Sequence, residues 1–384
     1  MRLNSFLTAV FLLVAATTRA DIQENGIVVF TRAPDGGLQP QALVGPNGAT
    51  HLIYFKGDPK AGDVFYARRA ADEQQFSPPI RVNSQTGSAI AIGTIRGPKL
   101  ALGKNGRVHV AWNGSGKASG HEGAPMFYTR LKDDGTAFEP ERDAMTFTGG
   151  LDGGGSVAAD SGGNVYVAWH GNTPATKGKE DERAVYLAVS TDEGRTFTRE
   201  QKVNPEPTGA CGCCGLKAFA DASGKLFIIY RAARGGSDRD ETLLSSRDHG
   251  KTFKSLYSHS WNATFCPMSS AWLGPGDGNH TLAAWETMGK VWFAAIDSAG
   301  ERMGEPVSPG GGSQKHPVAV TNKQGQTLLV WAEGTGWQKG GDVVWKIFSS
   351  DGKSALPGGR KDGLPAWTFP TALVRGDGGF EIIY

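Results

Sequence analysis

The sequence lacks an excess of charge of either sign. It contains 40 Lys and Arg residues against 38 Asp and Glu residues. Arg2 and Arg19 lie in an N-terminal segment that we expect to be removed, which leaves 38 charges of each sign. A chain without a basic surplus has no electrostatic means of holding a polyanion, so we expect no nucleic-acid partner.

Long apolar runs and helical periodicity are missing as well. The one long run, from Phe6 to Ala16, follows Arg2 and leads into small residues up to Ala20. It is shorter than the ~20 residues that span a bilayer and is typical of a secretory signal peptide. We therefore expect residues 1–20 to be a signal peptide and residues 21–384 to form one domain. The protein is then predicted to be an exported monomer, periplasmic or extracellular, without a membrane span.

Glycine, by contrast, is abundant. There are 55 glycines in 384 residues, roughly twice the ordinary share, and they are spread between short apolar runs. No heptad repeat or long amphipathic stretch accompanies them. The pattern indicates many turns between short strands and predicts an all-β chain.

One unit recurs along the chain: a turn with glycine, then alternating apolar residues that end in an aromatic side chain. A strand of this kind repeating every ~40–60 residues is typical of a propeller blade. Seven copies predict seven blades. Their final aromatic residues are Tyr54, Trp112, Trp169, Tyr230, Trp285, Trp331 and Tyr384.

A second motif, Ser-x-Asp-x-Gly-x-Thr-Phe, occurs in residues 190–197 and again in residues 246–253. We place it in the hairpin between the two outer strands of a blade, where its Gly suits a positive φ and its Asp and Ser bond the turn. A repeated motif of this kind is expected to be structural rather than catalytic. Its residues are Ser190, Asp192, Gly194, Thr196 and Phe197 in the first copy, and Ser246, Asp248, Gly250, Thr252 and Phe253 in the second.

This motif is the Asp box of the sialidase superfamily, which the chain resembles over nearly all of residues 21–384. The resemblance implies a single β-propeller with six blades, whereas the strand count favours seven, the last completed by residues 26–32. It also implies a glycoside hydrolase that releases sialic acid or a similar acidic sugar from glycans and requires no cofactor. The alternative is a non-catalytic propeller that binds a glycan, a protein or a soft metal ion on the face opposite the boxes.

The resemblance also suggests site residues. Retaining sialidases hold the substrate carboxylate with arginines, whose fork geometry suits that group, and Arg96-Gly97-Pro98 is the nearest match to the family's Arg-Ile-Pro motif. Asn113 stands where the family places an acidic residue, and no Tyr-Ser motif follows a late arginine, so the binding alternative stays open. The catalytic candidates are Arg96, Arg231, Glu286 and Glu333, and the substrate-binding candidates are Arg234, Arg239, His170 and Trp367.

The four cysteines lie in two loops that lead into consecutive blades. Cys211, Cys213 and Cys214 share one loop and Cys266 lies in the next, so we expect Cys266 to lie within bonding reach of the triplet. Structural disulfides are expected in an exported protein. The alternative is a copper or zinc site in which the cysteines are joined by soft or neutral ligands from nearby loops, namely Met268, His316 and His170.

Overall fold

The computed structural model describes residues 21–22, 27–118, 123–178, 180–352 and 355–384. The predicted signal peptide, residues 1–20, lies outside the described residues. Within the described part, no helix is long and apolar enough to cross a membrane. Short 3₁₀ turns occur at Pro34–Gly36, Ile92–Thr94, Lys104–Gly106 and Pro174–Thr176.

Almost all regular structure is β-strand, as the glycine-rich pattern predicts. In chain order the strands are β1 (Asp21–Ile22), β2 (Val28–Thr31), β3 (Leu38–Val44), β4 (Thr50–Asp58), β5 (Ala61–Arg69), β6 (Ile80–Arg81), β7 (Lys99–Leu102), β8 (Val108–Asn113), β9 (Met126–Arg130), β10 (Arg142–Asp143), β11 (Gly155–Ala159), β12 (Val165–Gly171), β13 (Ala184–Ser190), β14 (Gln201–Lys202), β15 (Leu216–Ala220), β16 (Leu226–Arg231), β17 (Glu241–Ser246), β18 (Lys254–His259), β19 (Ala271–Pro275), β20 (Thr281–Thr287), β21 (Lys290–Ile296), β22 (Gln314–Thr321), β23 (Thr327–Glu333), β24 (Gly341–Phe348), β25 (Ala355–Leu364), β26 (Thr371–Val374) and β27 (Phe380–Ile383).

The described strands form seven sheets, which are the blades of a propeller. Blades 1 to 6 are β3–β6, β7–β10, β11–β14, β15–β18, β19–β21 and β22–β25, and blade 7 has the order β1-β2-β27-β26. The first strands of neighbouring blades contact one another in a closed ring from β3 through β7, β11, β15, β19, β22 and β26 back to β3. The predicted all-β propeller is thus confirmed with seven blades. The six-bladed expectation is wrong, because each of the seven glycine-to-aromatic units supplies the second strand of a separate blade.

Strands from both termini complete blade 7. β2 pairs in parallel with β27, with Val28 opposite Phe380 and Thr31 opposite Ile383. The backbone N–H of Ala33 then donates to the carbonyl of Tyr384 at 3.0 Å. The prediction that residues 26–32 close the ring is confirmed for the described strand, and the closure joins the two ends of the fold by hydrogen bonds.

The blade interfaces are filled by the aromatic residues that end the second strands. All seven, from Tyr54 to Tyr384, are buried, and Trp112 and Trp169 are fully inaccessible. Trp112 packs with Ile53 and Phe55 of the preceding blade and with Leu100 of its own blade. Burial of side chains this large between blades removes apolar surface from water and so stabilises each contact.

The two Asp boxes connect the third and fourth strands of their blades, at one end of the propeller. Asp192 accepts hydrogen bonds from the backbone N–H of Thr196 at 2.8 Å and from the Thr196 hydroxyl at 2.7 Å. Ser190 donates to Asp192 at 2.7 Å and accepts from the N–H of Gly194 at 2.8 Å. Asp248 makes the matching bonds to Thr252. The boxes are therefore closed turns, as their sequence predicts.

The box residues also join neighbouring blades. The ring of Phe197 packs edge-on against Tyr128 of the preceding blade, with centroids 4.8 Å apart. Gly194 has a φ of 79°, and a Cβ there would lie 1.8 Å from the Tyr128 hydroxyl. Only glycine satisfies both constraints. We call this end of the propeller the box face.

Candidate functional site

The opposite end, which we call the loop face, consists of the loops that lead into first strands and the loops between second and third strands. Because successive strands of a blade alternate in direction, these two sets of loops share one face. The cysteine loop precedes β15, and Arg231, Glu286 and Glu333 lie at the ends of second strands. The structure thus places the predicted site residues at a common end of the molecule.

Four cysteines meet at this face. Cys213 and Cys266 form a disulfide with Cα atoms 6.6 Å apart, which confirms that Cys266 lies within bonding reach of the triplet. Cys211 and Cys214 are free and buried, and their Sγ atoms lie 3.1 Å apart. The Sγ atoms of Cys211, Cys213 and Cys214 all lie within 4.8 Å of one another. The cluster therefore combines a bridge between two loops with a pair of neighbouring thiols.

The two free thiols differ in acidity. Burial opposes ionisation of Cys214, but the hydrogen bond from Cys211, the charge of Arg231 and the Ser269 hydroxyl together lower its pKa to about 7. The Ser269 Oγ lies 3.4 Å from the Cys214 sulfur. The hydrogen bond to Cys214, together with burial, raises the pKa of Cys211. Cys214 is therefore the first of the two to ionise, and its thiolate accepts a hydrogen bond from the thiol of Cys211.

Arg231 supplies positive charge to this cluster. Its side chain is fully buried and its guanidinium lies 4.9 Å from the ring centroid of Trp261. Every nitrogen of the guanidinium has a partner inside the protein, so this catalytic candidate holds several loops together in the structure. Its partners are Ser269 Oγ at 3.0 Å, the Arg239 carbonyl at 2.7 Å, Thr287 Oγ1 at 3.0 Å, the Glu286 carbonyl and Glu241 Oε2 at 2.8 Å.

Two buried carboxylates accompany Arg231. Burial raises the pKa of Glu241 to about 8, although Arg231 opposes the shift. Burial also raises the pKa of Glu286, whose Oε1 is 3.0 Å from the Nζ of Lys315. One oxygen of each carboxylate has no hydrogen-bond partner in the described part of the chain.

The two predicted histidine ligands differ in availability. The Nε2 of His170 bonds the carbonyl of Cys214 at 2.6 Å, while its buried Nδ1 has no partner among the described residues. Both ring nitrogens of His316 are engaged, with Thr94 and Ser270, each at 2.8 Å. Burial lowers the pKa of His170 to about 4 and that of His316 to about 3, so both rings are neutral. Of the two histidines, His170 is therefore the one that contacts the cysteine loop, and its Nδ1 has no hydrogen-bond partner among the described residues.

Arg96 lies beside a separate cavity of about 310 Å³ on the loop face. Its Nε donates to the carbonyl of Asp152 at 2.6 Å, its Nη2 pairs with the Asp152 carboxylate at 2.5 Å, and its Nη1 donates to the carbonyl of Ile92. Trp337, which is 61% exposed, lines the same cavity and packs at right angles to Trp367 with centroids 4.8 Å apart.

The remaining predicted site residues have partners elsewhere in the protein. Arg234 forms an exposed ion pair with Asp238 at 2.8 Å, and Arg239 donates to the Asp238 carbonyl at 3.2 Å. Glu333 is paired with Arg360 and accepts from the Trp331 indole at 3.2 Å. Met268 packs beside Gly93 and Arg96, since a Cβ on Gly93 would lie 2.9 Å from the Met268 Cε. Asn113, in place of the family's acid, donates to the carbonyl of Gly153 at 2.5 Å.

Sequence reasoning did not identify several residues of the loop face. Asp152 stands among glycines in a loop between blades, where an isolated acid is a usable signal. Glu241 is the single charged residue of β17 and stands at its start. Trp337 and Ser269 carry no local signal, because their positions depend on loops that meet only in the fold.

No protein-family model matches the chain, and no curated protein matches it. Among solved structures, a protein of unknown function from Dyadobacter fermentans DSM 18053 is 15% identical with a TM-score of 0.52, covering 81% of this chain and 94% of that one. The α-L-arabinanase of Penicillium chrysogenum is 13% identical with a TM-score of 0.52, covering 85% and 96%. The Hadza microbial sialidase Hz136 is also similar, at 16% identity and a TM-score of 0.49, covering 80% and 68%. At such identities the likeness is one of fold.

Proposed function

We propose that this chain is an exported, non-catalytic propeller that binds Cu(I) through Cys211 and Cys214 on the loop face. The observation that carries the proposal is the pair of free, buried thiols with sulfurs 3.1 Å apart. Thiolate is a soft ligand and selects soft ions such as Cu(I). Structural zinc takes four protein ligands, whereas Cys213 is held in the disulfide with Cys266, so copper suits the site better.

The surroundings of the thiols support metal binding. Arg231 and Ser269 favour the thiolate of Cys214, and ligating sulfur must be deprotonated. His170 stays neutral beside the loop, so its ring adds no positive charge that would oppose a bound cation. The disulfide fixes the loop that carries both thiols to the next blade.

The exported location rests on two features. Residues 1–20 have the pattern of a secretory signal peptide, and disulfides such as Cys213–Cys266 persist in oxidising compartments. In such a compartment a free thiol pair would itself be oxidised unless it were protected. Burial and a bound metal ion both give that protection, which adds to the case for a metal.

The test is a Cu(I) titration of purified protein against a coloured Cu(I) chelator under anaerobic conditions. We expect one Cu(I) per chain and an ultraviolet thiolate-to-copper charge-transfer band. A Cys211→Ser/Cys214→Ser variant should lose both. The Cys213→Ser/Cys266→Ser variant keeps the thiol pair and is the matched control, which should still take up one ion. A wild-type protein that leaves all copper on the chelator would overturn the proposal.

A second function is favoured by the cavity next to Arg96. An exposed tryptophan beside a cavity lined by an arginine suits an acidic sugar, which stacks on the ring and pairs with the guanidinium. We therefore propose that Trp337, Trp367 and Arg96 bind a glycan that ends in sialic acid or a similar acidic sugar. Sialic-acid release by this site would need Arg96 to exchange Asp152 for the substrate carboxylate.

This second proposal is tested with sialyllactose and a fluorogenic sialoside. Binding should quench tryptophan fluorescence in the wild-type protein, and Trp337→Ala should weaken it by at least tenfold. Arg96→Lys keeps the positive charge but loses the planar guanidinium that makes two hydrogen bonds to a carboxylate. This variant should reduce any turnover by more than tenfold. No binding and no turnover between pH 4 and pH 8 would remove the glycan function and leave the copper site untouched.

A further inference from the structure

The central channel contains a cavity of about 460 Å³, which is separate from the cysteine cluster and the Arg96 cavity. Its volume falls within the ~300–1,000 Å³ of small-molecule sites. The first strands of all seven blades contribute to its wall, and most of that wall is aliphatic. Representative wall residues are Leu43, Leu100, Val157, Ala218, Leu273 and Val318.

Two lysines interrupt this apolar wall. Lys99 begins β7 of blade 2, and Lys217 is the second residue of β15 of blade 4. Lys99 is buried and its Nζ lies 6.0 Å from the ring centroid of Phe369, another wall residue. Neither ammonium group forms a hydrogen bond or ion pair with any residue that the structure describes. Both lysines line the same cavity, and the charge of Lys217 contributes to lowering the pKa of Lys99.

The other titratable groups of the wall do not neutralise these lysines. His316 is neutral and is held by Thr94 and Ser270. Asp221 follows Lys217 by four residues, which is about 13 Å along an extended strand, and it bonds Lys225 and Ser223 within its turn at the box face.

Asp160, the other carboxylate of the wall, is likewise bonded in its turn, by Asn164 and Tyr166. Positive charge is therefore concentrated near the loop face, without a balancing anion from the described residues.

A short segment covers the channel on the loop-face side. Thr94 of the blade 2 lead-in loop bonds His316 of blade 6 across the mouth at 2.8 Å. The next residue, Ile95, is buried and packs against Gly154 and Gly215. A Cβ on Gly154 would lie 2.6 Å from the Ile95 carbonyl oxygen, and a Cβ on Gly215 would lie 3.7 Å from Ile95 Cγ2. At the box face the cavity reaches the turn residues Val44 and Pro46. A ligand would thus enter from the box face and meet the lysines at the far end.

We propose that the channel binds a small amphipathic anion, with its carboxylate between Lys99 and Lys217 and its aliphatic part along the apolar wall toward the box face. Two unpaired ammonium groups in an apolar cavity are costly to bury, and an organic carboxylate removes that cost while its chain covers the aliphatic wall. A purely inorganic anion would satisfy the charge and leave the wall bare. A neutral aliphatic molecule would cover the wall and leave the two ammonium charges without a counter-charge.

The acidity of the lysines agrees with this geometry. Burial, with a smaller contribution from the charge of Lys217, lowers the pKa of Lys99 to about 7, and burial lowers that of Lys217 to about 8. A bound carboxylate would favour the charged forms. Binding at pH 8 should therefore take up protons from the buffer, which is measurable as a dependence of the binding heat on the ionisation enthalpy of the buffer.

The test is isothermal titration calorimetry with octanoate as the probe. We expect octanoate to bind the wild-type protein at least tenfold more tightly than it binds Lys99→Met/Lys217→Met. Lys254→Met, an exposed lysine of β18, is the matched control and should bind like the wild type. Octanol and acetate, which each lack one half of the probe's chemistry, should bind at least tenfold more weakly than octanoate.

Three results would overturn the proposal: no octanoate binding at millimolar concentration, equal binding by the double variant, or equal binding of octanol. The double variant removes two like charges from an apolar wall, so its melting temperature should equal or exceed that of the wild type. Should it fail to fold, octanoate protection of Lys99 and Lys217 from reductive methylation in the wild-type protein, read by mass spectrometry, decides the question. Unprotected lysines in saturating octanoate would contradict the site.

Discussion

Asp192 at the box face and Arg231 at the loop face are both charged residues with several hydrogen bonds, but the origins of their partners differ. Asp192 is bonded by Ser190 and Thr196 of its own turn. Arg231 is bonded by Ser269, Thr287 and Glu241, which come from separate segments of the chain. The box face is thus built from local bonds and the loop face from contacts between distant segments.

The two faces differ in burial as well. In the boxes Asp192 and Asp248 are only half-buried, and hydrogen bonds from Thr252 and neighbouring groups hold the pKa of Asp248 at about 2. At the loop face, burial raises the pKa values of Glu241 and Glu286 and leaves one oxygen of each without a described partner. A turn that satisfies its own groups stabilises a hairpin, whereas buried groups left short of partners are typical of sites that bind something.

The largest expected effect is at the loop face. Arg231→Met removes the guanidinium and leaves the buried oxygens that it bonds, among them those of Glu241, Ser269 and Thr287, without their donor. Each buried group left unsatisfied costs about 1–3 kcal/mol, so the free energy of unfolding should fall by about 3 kcal/mol or more. Urea unfolding followed by tryptophan fluorescence measures the loss. Arg234→Met, at the exposed pair with Asp238, is the matched control and should cost about 1 kcal/mol or less. Similar losses in the two variants would show that burial does not distinguish these arginines.

The two faces should also respond to pH with opposite signs. The folded-state pKa of Glu241 is raised from 4.5 to about 8, so the folded protein holds more protons than the unfolded chain between these values. The stabilisation from Glu241 is complete below pH 4.5 and is lost as the pH rises toward 8, with a slope of at most about 1.4 kcal/mol per pH unit. The lowered pKa of Asp248 gives stability above pH 4 that is lost as the pH falls toward 2.

Glu241→Gln isolates the first of these signs. Between pH 5 and pH 8 the wild-type protein should lose about 1–3 kcal/mol of unfolding free energy relative to the variant. The buried histidines stabilise the fold with rising pH in both proteins, so their contribution cancels in the difference. Urea unfolding at three pH values supplies the comparison, and a constant difference would contradict the raised pKa of Glu241.

The smallest effects are expected at the box face. Asp192→Ala and Asp248→Ala each remove hydrogen bonds within an exposed turn and should lower the unfolding free energy by about 1 kcal/mol. Copper uptake and octanoate binding should not change. Thermal unfolding, together with the two binding assays, measures both halves of this prediction. A box variant with an unchanged melting temperature but lost binding would mean that the boxes take part in function.

Much of the fold was predictable because its signals are local. Each glycine turn with its aromatic-ended strand marks one blade, so the count of seven from Tyr54 to Tyr384 is correct and the six-bladed expectation from the resemblance is not. The site was less predictable. That Cys266 lies within bonding distance of the cysteine triplet was inferred from the order of the loops. Which of the three cysteines it bonds, Cys213, depends on how the two loops approach each other.

The sequence by itself determined the all-β class, the seven blades and the closed Asp-box turns, since each depends on residues a few positions apart. Tertiary structure alone decided which cysteines remain free, how Arg231 is buried among Glu241, Ser269 and Thr287, and that Lys99 and Lys217 line the same channel. The physical reason is closure of the ring, which brings together first strands and loops that are tens to hundreds of residues apart. Only in the closed ring do the buried charged side chains of these segments lie beside their partners.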